Sequence, residues 1–203
     1  MIKIVIASKN QGKIKEFSSL LSILNVSFLS LLDFPEIGEI PEEGKTFAEN
    51  ALKKASVVAQ TTGLPALADD SGLVVDALGG KPGVYSARYA GEPKDDFKNI
   101  QKLLKELENV PDSQRTARFV AALCLYFPDG AVLTSEGECA GIILNEMRGS
   151  GGFGYDPVFY LPEYGKTMAE LPLEVKNKIS HRSRALSLLL QKIKEEKQWN
   201  ILW

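Results

Sequence analysis

The sequence predicts an α/β protein in which helices cover a mixed β-sheet, and three observations carry that expectation. Segments of helical periodicity alternate with short β-prone runs along most of the chain. In the middle, two β-prone runs flank the turn signal Pro128-Asp129-Gly130, which implies a hairpin and so an antiparallel pair within the sheet. The 203 residues, 44% hydrophobic and 25% charged, can fill a sizeable core, which excludes disorder, collagen and coiled coil. One compact domain or two closely joined lobes fits that length.

Each element has its own local reason. Ile2 to Ala7 reads as a buried strand, Ser8 to Lys13 as a polar loop, and Ile14, Phe17, Leu21 and Leu24 continue at helical spacing. Thr46-Phe47-Ala48-Glu49 has the T-x-x-E form in which a hydroxyl and a carboxylate satisfy the free amides of a helix start, so a second helix runs from there to about Thr62 and stops at Gly63. Leu64 to Ala68 and Leu73 to Leu78 are read as strands around a polar turn, Asp69-Asp70-Ser71-Gly72, before Gly79 to Gly83 breaks the chain. Phe97, Ile100, Leu104 and Leu107 mark a third helix. Thr116 to Phe127 pairs with Ala131 to Glu138 as the hairpin, and Gly141 to Leu144 is a third strand segment. Pro157 to Leu161 returns to strand, and Leu186, Leu189, Leu190 and Ile193 mark a C-terminal helix.

Charge and cysteine content narrow the partners. With 24 Lys and Arg against 26 Asp and Glu, the net charge of −2 argues against a broadly basic nucleic-acid binder or a polybasic membrane protein. Cys124 and Cys139 are too few for a disulfide scaffold and lack C-x-x-C spacing, so a reduced, cytoplasmic setting fits best. No targeting segment or membrane span is visible, because no apolar run approaches the roughly 18 residues needed.

Five segments are candidates for chemistry, each with a bland alternative. Ser8, Lys9, Asn10, Gln11, Gly12 and Lys13 join a strand to a helix N-terminus, where free amides and cations suit a phosphate; the loop is no Walker A motif and could equally be a solvated turn. Asp69 and Asp70 suit a hard cation such as Mg²⁺, with Glu42 or Glu43 as a second acid, or are simply turn residues. Asn50 and Lys54 share one helix face, as do Glu49 and Lys53; Lys54 could hold a phosphate or be solvated. In Gly149 to Pro157, glycines allow close approach, Phe153 and Tyr155 could stack on a flat base or plug the core, and Asp156 could accept from ring nitrogens. Ser180-His181-Arg182-Ser183-Arg184 puts cations in a first helical turn, with Lys176 and Lys178 just before; that runs against the helix dipole and suggests an anionic ligand, or a solvated basic face. A single histidine makes a zinc site very hard to build. Together the segments describe a nucleoside polyphosphate site.

These segments, in this order, resemble the inosine triphosphate pyrophosphatase family, the non-standard purine nucleoside triphosphate pyrophosphatases or XTP/dITP diphosphatases. The resemblance covers essentially the whole chain. It rests on Ser8-x-Asn10-x-x-Lys13, Glu42-x-Gly44-x-Thr46-Phe47-x-Glu49-Asn50-Ala51, Ala68-Asp69-Asp70-Ser71-Gly72-Leu73, Gly83-Val84-Tyr85-Ser86-Ala87-Arg88, Phe153-Gly154-Tyr155-Asp156-Pro157 and Ser180-His181-Arg182. The resemblance implies one two-lobed α/β domain over residues 1–203, with a cleft along a long mixed sheet, a homodimer, and hydrolysis of ITP, dITP and XTP to monophosphate and pyrophosphate. It further implies that residues 8–13 bind phosphates, that Glu42 and Asp70 ligate Mg²⁺ (or Mn²⁺), and that Asp70 accepts the proton. Asp69 and Asn50 would support them, and Lys54 and Ser71 would face substrate. Phe153, Gly154, Tyr155 and Asp156 would surround the base, and Lys176, His181 and Arg182 would reach base or phosphate. Selectivity would come from recognising a 6-oxo group and rejecting a 6-amino group. Rival readings are a nucleotide-binding regulator, an RNA binder and a pyrophosphatase for modified pyrimidine triphosphates.

Overall fold

The computed structural model describes residues 2–22 and 26–195. Its seven strands form one sheet in the order β2-β1-β3-β4-β5-β6-β7, where β1 is Ile2–Ile6, β2 Val26–Ser30, β3 Ala66–Val75, β4 Thr116–Tyr126, β5 Val132–Ile143, β6 Phe159–Leu161 and β7 Lys166–Thr167. The sheet is mixed as expected: β1 runs parallel to β2 and β3, while β6 is antiparallel to β5 and β7. The described residues include five α-helices: α1 Gln11–Leu20, α2 Phe47–Thr62, α3 Asp96–Glu106, α4 Leu173–Ile179 and α5 His181–Glu195.

The chain divides into two compact units, one of residues 1–70, 121–137 and 182–203, the other of 71–120 and 138–181. In the first unit, Ile4, Ile6, Phe17, Leu67, Leu123, Leu125, Leu186 and Leu189 form one apolar cluster, and Val5, Ala51, Ala55, Val58, Ala66 and Ala68 another. The small residues of α2 are the reason its backbone can lie close to its neighbours: Ala51, Ala55, Val58 and Ala59 have no exposed surface. In the second unit, Leu73, Ile100, Leu103, Leu107, Phe119, Ile143 and Phe159 form the core, with the Phe119 and Phe159 rings 4.3 Å apart.

Several boundaries differ from the sequence reading, each for a physical reason. Asp69 to Gly72 is not a turn: β3 continues through it unbroken. Local propensity makes Asp-Asp-Ser-Gly a turn, but both acids are buried and matched to cations distant in sequence, and tertiary pairing overrides propensity. Likewise β5 is one strand where two were expected, and the expected strand from Leu73 to Leu78 ends at Val75 in a 3₁₀ turn. Gln11 to Lys13 belong to α1 because Asn10 caps it, its side chain accepting from the Lys13 amide at 3.2 Å. Three strands or helices were missed: β2, the two-residue β7 and the short α4. The buried face of α3 is Ile100, Leu103 and, just past its end, Leu107, with Phe97 exposed. Glu49 and Lys53 do not serve each other: Lys53 reaches Glu43 at 3.2 Å and Glu49 accepts from the Lys45 amide at 2.7 Å. Leu24 lies outside the described residues.

Candidate active site

The chemistry-bearing residues of the first unit gather around two adjacent acids. Asp69 and Asp70 are 6% and 5% exposed, and as neighbours on β3 they take different partners, as alternation along a strand requires. Asp69 Oδ2 lies 2.6 Å from Lys13 Nζ and accepts from Arg182 Nε at 3.4 Å. Arg182 also donates through Nη1 to Glu16 at 3.0 Å. Asp70 accepts from Asn50 Nδ2 at 3.0 Å on one oxygen and from Lys54 Nζ at 3.2 Å on the other.

Helix α2 is what brings Asn50 and Lys54 to that acid. Its start is fixed by Thr46, whose hydroxyl accepts from the Glu49 amide at 3.1 Å, and its end by Gly63 in the left-handed region at φ 66°. Asn50 and Lys54, one turn apart, therefore face the same way. The Lys54 ammonium meets three acceptors: Glu42 Oε1 at 2.7 Å, the Asp69 carbonyl at 2.8 Å and Asp70 Oδ1 at 3.2 Å. Asn50 Oδ1 in turn accepts from the Gly44 amide at 2.7 Å, and a Cβ at position 44 would lie 2.6 Å from that oxygen. Only glycine fits there.

Burial and pairing pull the ionisations apart. Burial would raise Asp69, but Lys13 and Arg182 outweigh it and hold its carboxyl well below the usual carboxylate range. For Asp70 burial prevails, aided by the Glu42 charge, over the opposing pull of Lys54, so its pKa rises. Burial would lower Lys54, but Asp70 and Glu42 reverse that and raise it. Lys13 is lowered because desolvation exceeds the attraction of Asp69. Two acids one residue apart thus have opposite tendencies, the pattern that separates a fixed charge from a proton acceptor.

The loop from Ser8 to Lys13 is tightly held. Ser8 Oγ accepts from the Asn10 amide at 3.1 Å, and Lys9 Nζ donates to the Ile37 carbonyl at 3.0 Å. Gln11 and Gly12 form the first positions of α1. Ser71 follows the acids within β3, half-buried. Glu16 was not anticipated, because its partner Arg182 lies 166 positions away in the sequence. Of the cations at the start of α5, Arg182 finds its counter-charge inside the protein, held by Asp69 and Glu16.

In the second unit the glycine-aromatic loop has a built shape. Asp156 accepts from Lys176 Nζ at 2.8 Å and from the Phe153 amide at 3.4 Å. Tyr155 is buried, its hydroxyl donating to the Ser86 carbonyl at 2.9 Å, so its ring belongs to the core. Phe153 is half-exposed and Gly154 stands at φ 60°. His181 is buried and stacks on Phe119, with centroids 4.9 Å apart.

The fold and these clusters define an α/β protein that holds two buried acids against cations drawn from three helices. Residues 4–192 match the Ham1 family model, and the chain belongs to that family. It is 60% identical over 189 residues to a dITP/XTP pyrophosphatase of Geobacter sulfurreducens, covering 93% of this chain and 95% of that one. A dITP/XTP pyrophosphatase of Geobacillus kaustophilus is 56% identical over 199 residues, 98% and 95% of the two chains. Among solved structures, a HAM1 protein from Coxiella burnetii superposes with TM-score 0.87 at 45% identity, covering 97% of this chain and all of that one.

Proposed function

We propose that this chain hydrolyses dITP, XTP and ITP to the nucleoside monophosphate and pyrophosphate, removing non-standard purines from the pool used for DNA and RNA synthesis. The observation that carries the reading is the Glu42, Asp70 and Lys54 cluster with Asp69 fixed beside it, in a chain 60% identical to a dITP/XTP pyrophosphatase.

The donor set suits a hard divalent cation. Glu42 and Asp70 already converge on one positive charge, the Lys54 ammonium, and Mg²⁺ binds by one or two carboxylates completed by substrate phosphates. Glu42 and Asp70 would hold it, or Mn²⁺, and when bound it supplies charge neutralisation at the phosphoryl oxygens. The protein's own residues do the rest. Lys54, kept protonated by its carboxylates, and Lys13 on its Asp69 anchor face the triphosphate charge, with Lys9, Ser8, Asn10, Gln11, Gly12 and Ser71 as further phosphate contacts. Asp70, its basicity raised by burial, takes a proton from the attacking water; the new bond forms at the α-phosphorus, the bond to the α,β-bridging oxygen breaks, and pyrophosphate leaves. Asn50 holds the other Asp70 oxygen and so fixes which one faces water.

Phe153 and Gly154 receive the base, Tyr155 and Asp156 hold the loop, and Lys176, His181 and Arg182 contribute contacts to base or phosphate. A site that hydrogen-bonds a 6-oxo group leaves donors unpaired against a 6-amino group, which discriminates strongly. The chain acts as one domain and as a homodimer in the cytoplasm; no described helix is long and apolar enough to cross a membrane. A panel of dITP, XTP, dGTP, ATP and dUTP, with pyrophosphate release measured for wild type and Asp70→Asn, tests the reading. Preference for dITP and XTP, lost in the variant, is expected; equal turnover by both proteins removes the mechanism.

A further inference from the structure

We propose that Asp96 is a positioning residue for base recognition, acting through the backbone of Gly154; this rests on the reading of residues 153–156 as the base loop. The side chain of Asp96, in the first turn of α3, accepts from the Gly154 amide at 2.8 Å, a bond between residues 58 positions apart. The next residue is anchored too, by Tyr155 Oη donating to the Ser86 carbonyl. Ser86 is itself fixed: its hydroxyl accepts from the Leu73 amide at 2.9 Å and donates to the Gly83 carbonyl at 2.6 Å. Asn99 ties the same turn to α3, donating to the Ala87 carbonyl at 3.0 Å and accepting from the Ala90 amide at 2.7 Å.

The segment Gly83–Arg88 and the first turns of α3 therefore form a platform, and the base loop is pinned to it at two consecutive residues. The two pins differ in kind. Tyr155 is buried and its removal would damage the core, whereas the Asp96 side chain is 37% exposed and its bond to Gly154 is charge-assisted. Gly154 at φ 60° follows Phe153, so the bond at its amide sets the peptide plane through which the Phe153 ring is presented. Asp96 is not among the residues proposed to meet the phosphates. Its loss acts on how well the base is held and leaves the chemical step alone.

The experiment measures KM and kcat for dITP, with melting temperature, in Asp96→Ala, Asp96→Ser, Asp96→Asn, Lys94→Ala and Phe153→Ala. Alanine and serine at position 96 should raise KM about five- to tenfold with kcat within about twofold, the value of one charge-assisted hydrogen bond. Asparagine, whose amide oxygen still accepts from Gly154, should restore KM to within about twofold of wild type. Lys94→Ala, which removes the 3.8 Å partner of the same carboxylate, should leave KM unchanged. Phe153→Ala separates the two ideas. If it raises KM while Asp96→Ala and Asp96→Ser do not, the base loop stands and the role of Asp96 falls. If Phe153→Ala leaves KM unchanged, the base-loop reading itself fails. A fall in kcat alone, or no difference between alanine and asparagine, overturns the proposal.

Discussion

In the first unit, Lys13, Lys54 and Arg182 meet Asp69, Asp70, Glu42 and Glu16 through side chains, so the geometry is held by charges that answer one another. In the second, the loop from Gly152 to Asp156 carries one ion pair, Asp156 with Lys176, and its path is set through the backbone as well, with glycines at φ 80° and 60° and anchors on the Phe153 and Gly154 amides. One region is held by a network of buried ionic partners, and in the other a backbone shape is added to a single pair. Substitution should therefore hurt them differently: losing a charge in the first strands its partner, while adding a methyl group in the second distorts a path.

The largest effect expected is on rate. Asp70→Asn keeps the shape but removes the proton acceptor, and pyrophosphate release from dITP should fall about 10³-fold, the scale of a lost general base. Retention of more than about a tenth of the wild-type rate would show that another group takes the proton. Next comes the ionic region's dependence on pairing. Arg182→Met strands Asp69 and Glu16 against one cation fewer and should lower unfolding free energy by about 3 kcal/mol in urea titrations. Phe153→Ala, at a half-exposed position, should cost less than about 1 kcal/mol.

Two glycines sharpen the backbone side of the contrast. A Cβ on Gly152 would lie 2.0 Å from Asp156 Oδ2 and 2.6 Å from Lys176 Nζ, whereas a Cβ on Gly154 meets nothing within 4 Å. Gly154→Ala should cost only its positive φ, about 1 kcal/mol; Gly152→Ala should exceed about 2 kcal/mol, because it also parts the Asp156 and Lys176 pair. Equal costs would mean that the pair yields freely.

The smallest effect, and the finest test, is the pH response of the adjacent acids. Asp69 has a depressed pKa, so its contribution to stability is present above the ordinary carboxyl value of 3.8 and fades as pH falls below it. Asp70 has a raised pKa and the opposite sign: its contribution is fullest at low pH and is lost as pH rises through the raised value. Urea midpoints between about pH 3 and pH 7 should show a shallower acid-side decline for Asp69→Asn and a shallower neutral-side decline for Asp70→Asn. Parallel curves for the two variants would mean that the acids share one environment.

What the sequence made legible follows from how local the causes are. Helix α2 was readable from Thr46 to Gly63 because both stops are side-chain and backbone effects within a few residues. The α5 start at His181 and the α1 strand-loop-helix order were likewise local. The turn expected at Asp69 to Gly72 was misread because the stabilising partners, Lys13 and Arg182, lie far away in sequence. Strand β2 carries no turn or cap signal of its own in Val26-Ser27-Phe28-Leu29-Ser30, and its pairing with β1 is what makes it a strand. Helix α4 is only seven residues long and begins after Pro172, too short for a periodic pattern to show. Among the candidate residues, the two acids, Asn50, Lys54 and the glycine-aromatic loop were visible as residue types. Glu16 and Asp96 were not, because a lone carboxylate on an amphipathic helix looks like any solvated one.

The capping of α2 at both ends also bears on how such a chain can diverge. Between Thr46 and Gly63 the helix has no slack, and one inserted residue would swing everything beyond it by about 100° around the axis, carrying Lys54 away from Asp70 if placed ahead of it. Change within this helix must therefore come by replacement alone. The tip at Pro128 to Gly130, whose residues are exposed, can absorb lengthening, so differences in chain length among relatives should collect at such tips and spare the span that carries Asn50 and Lys54.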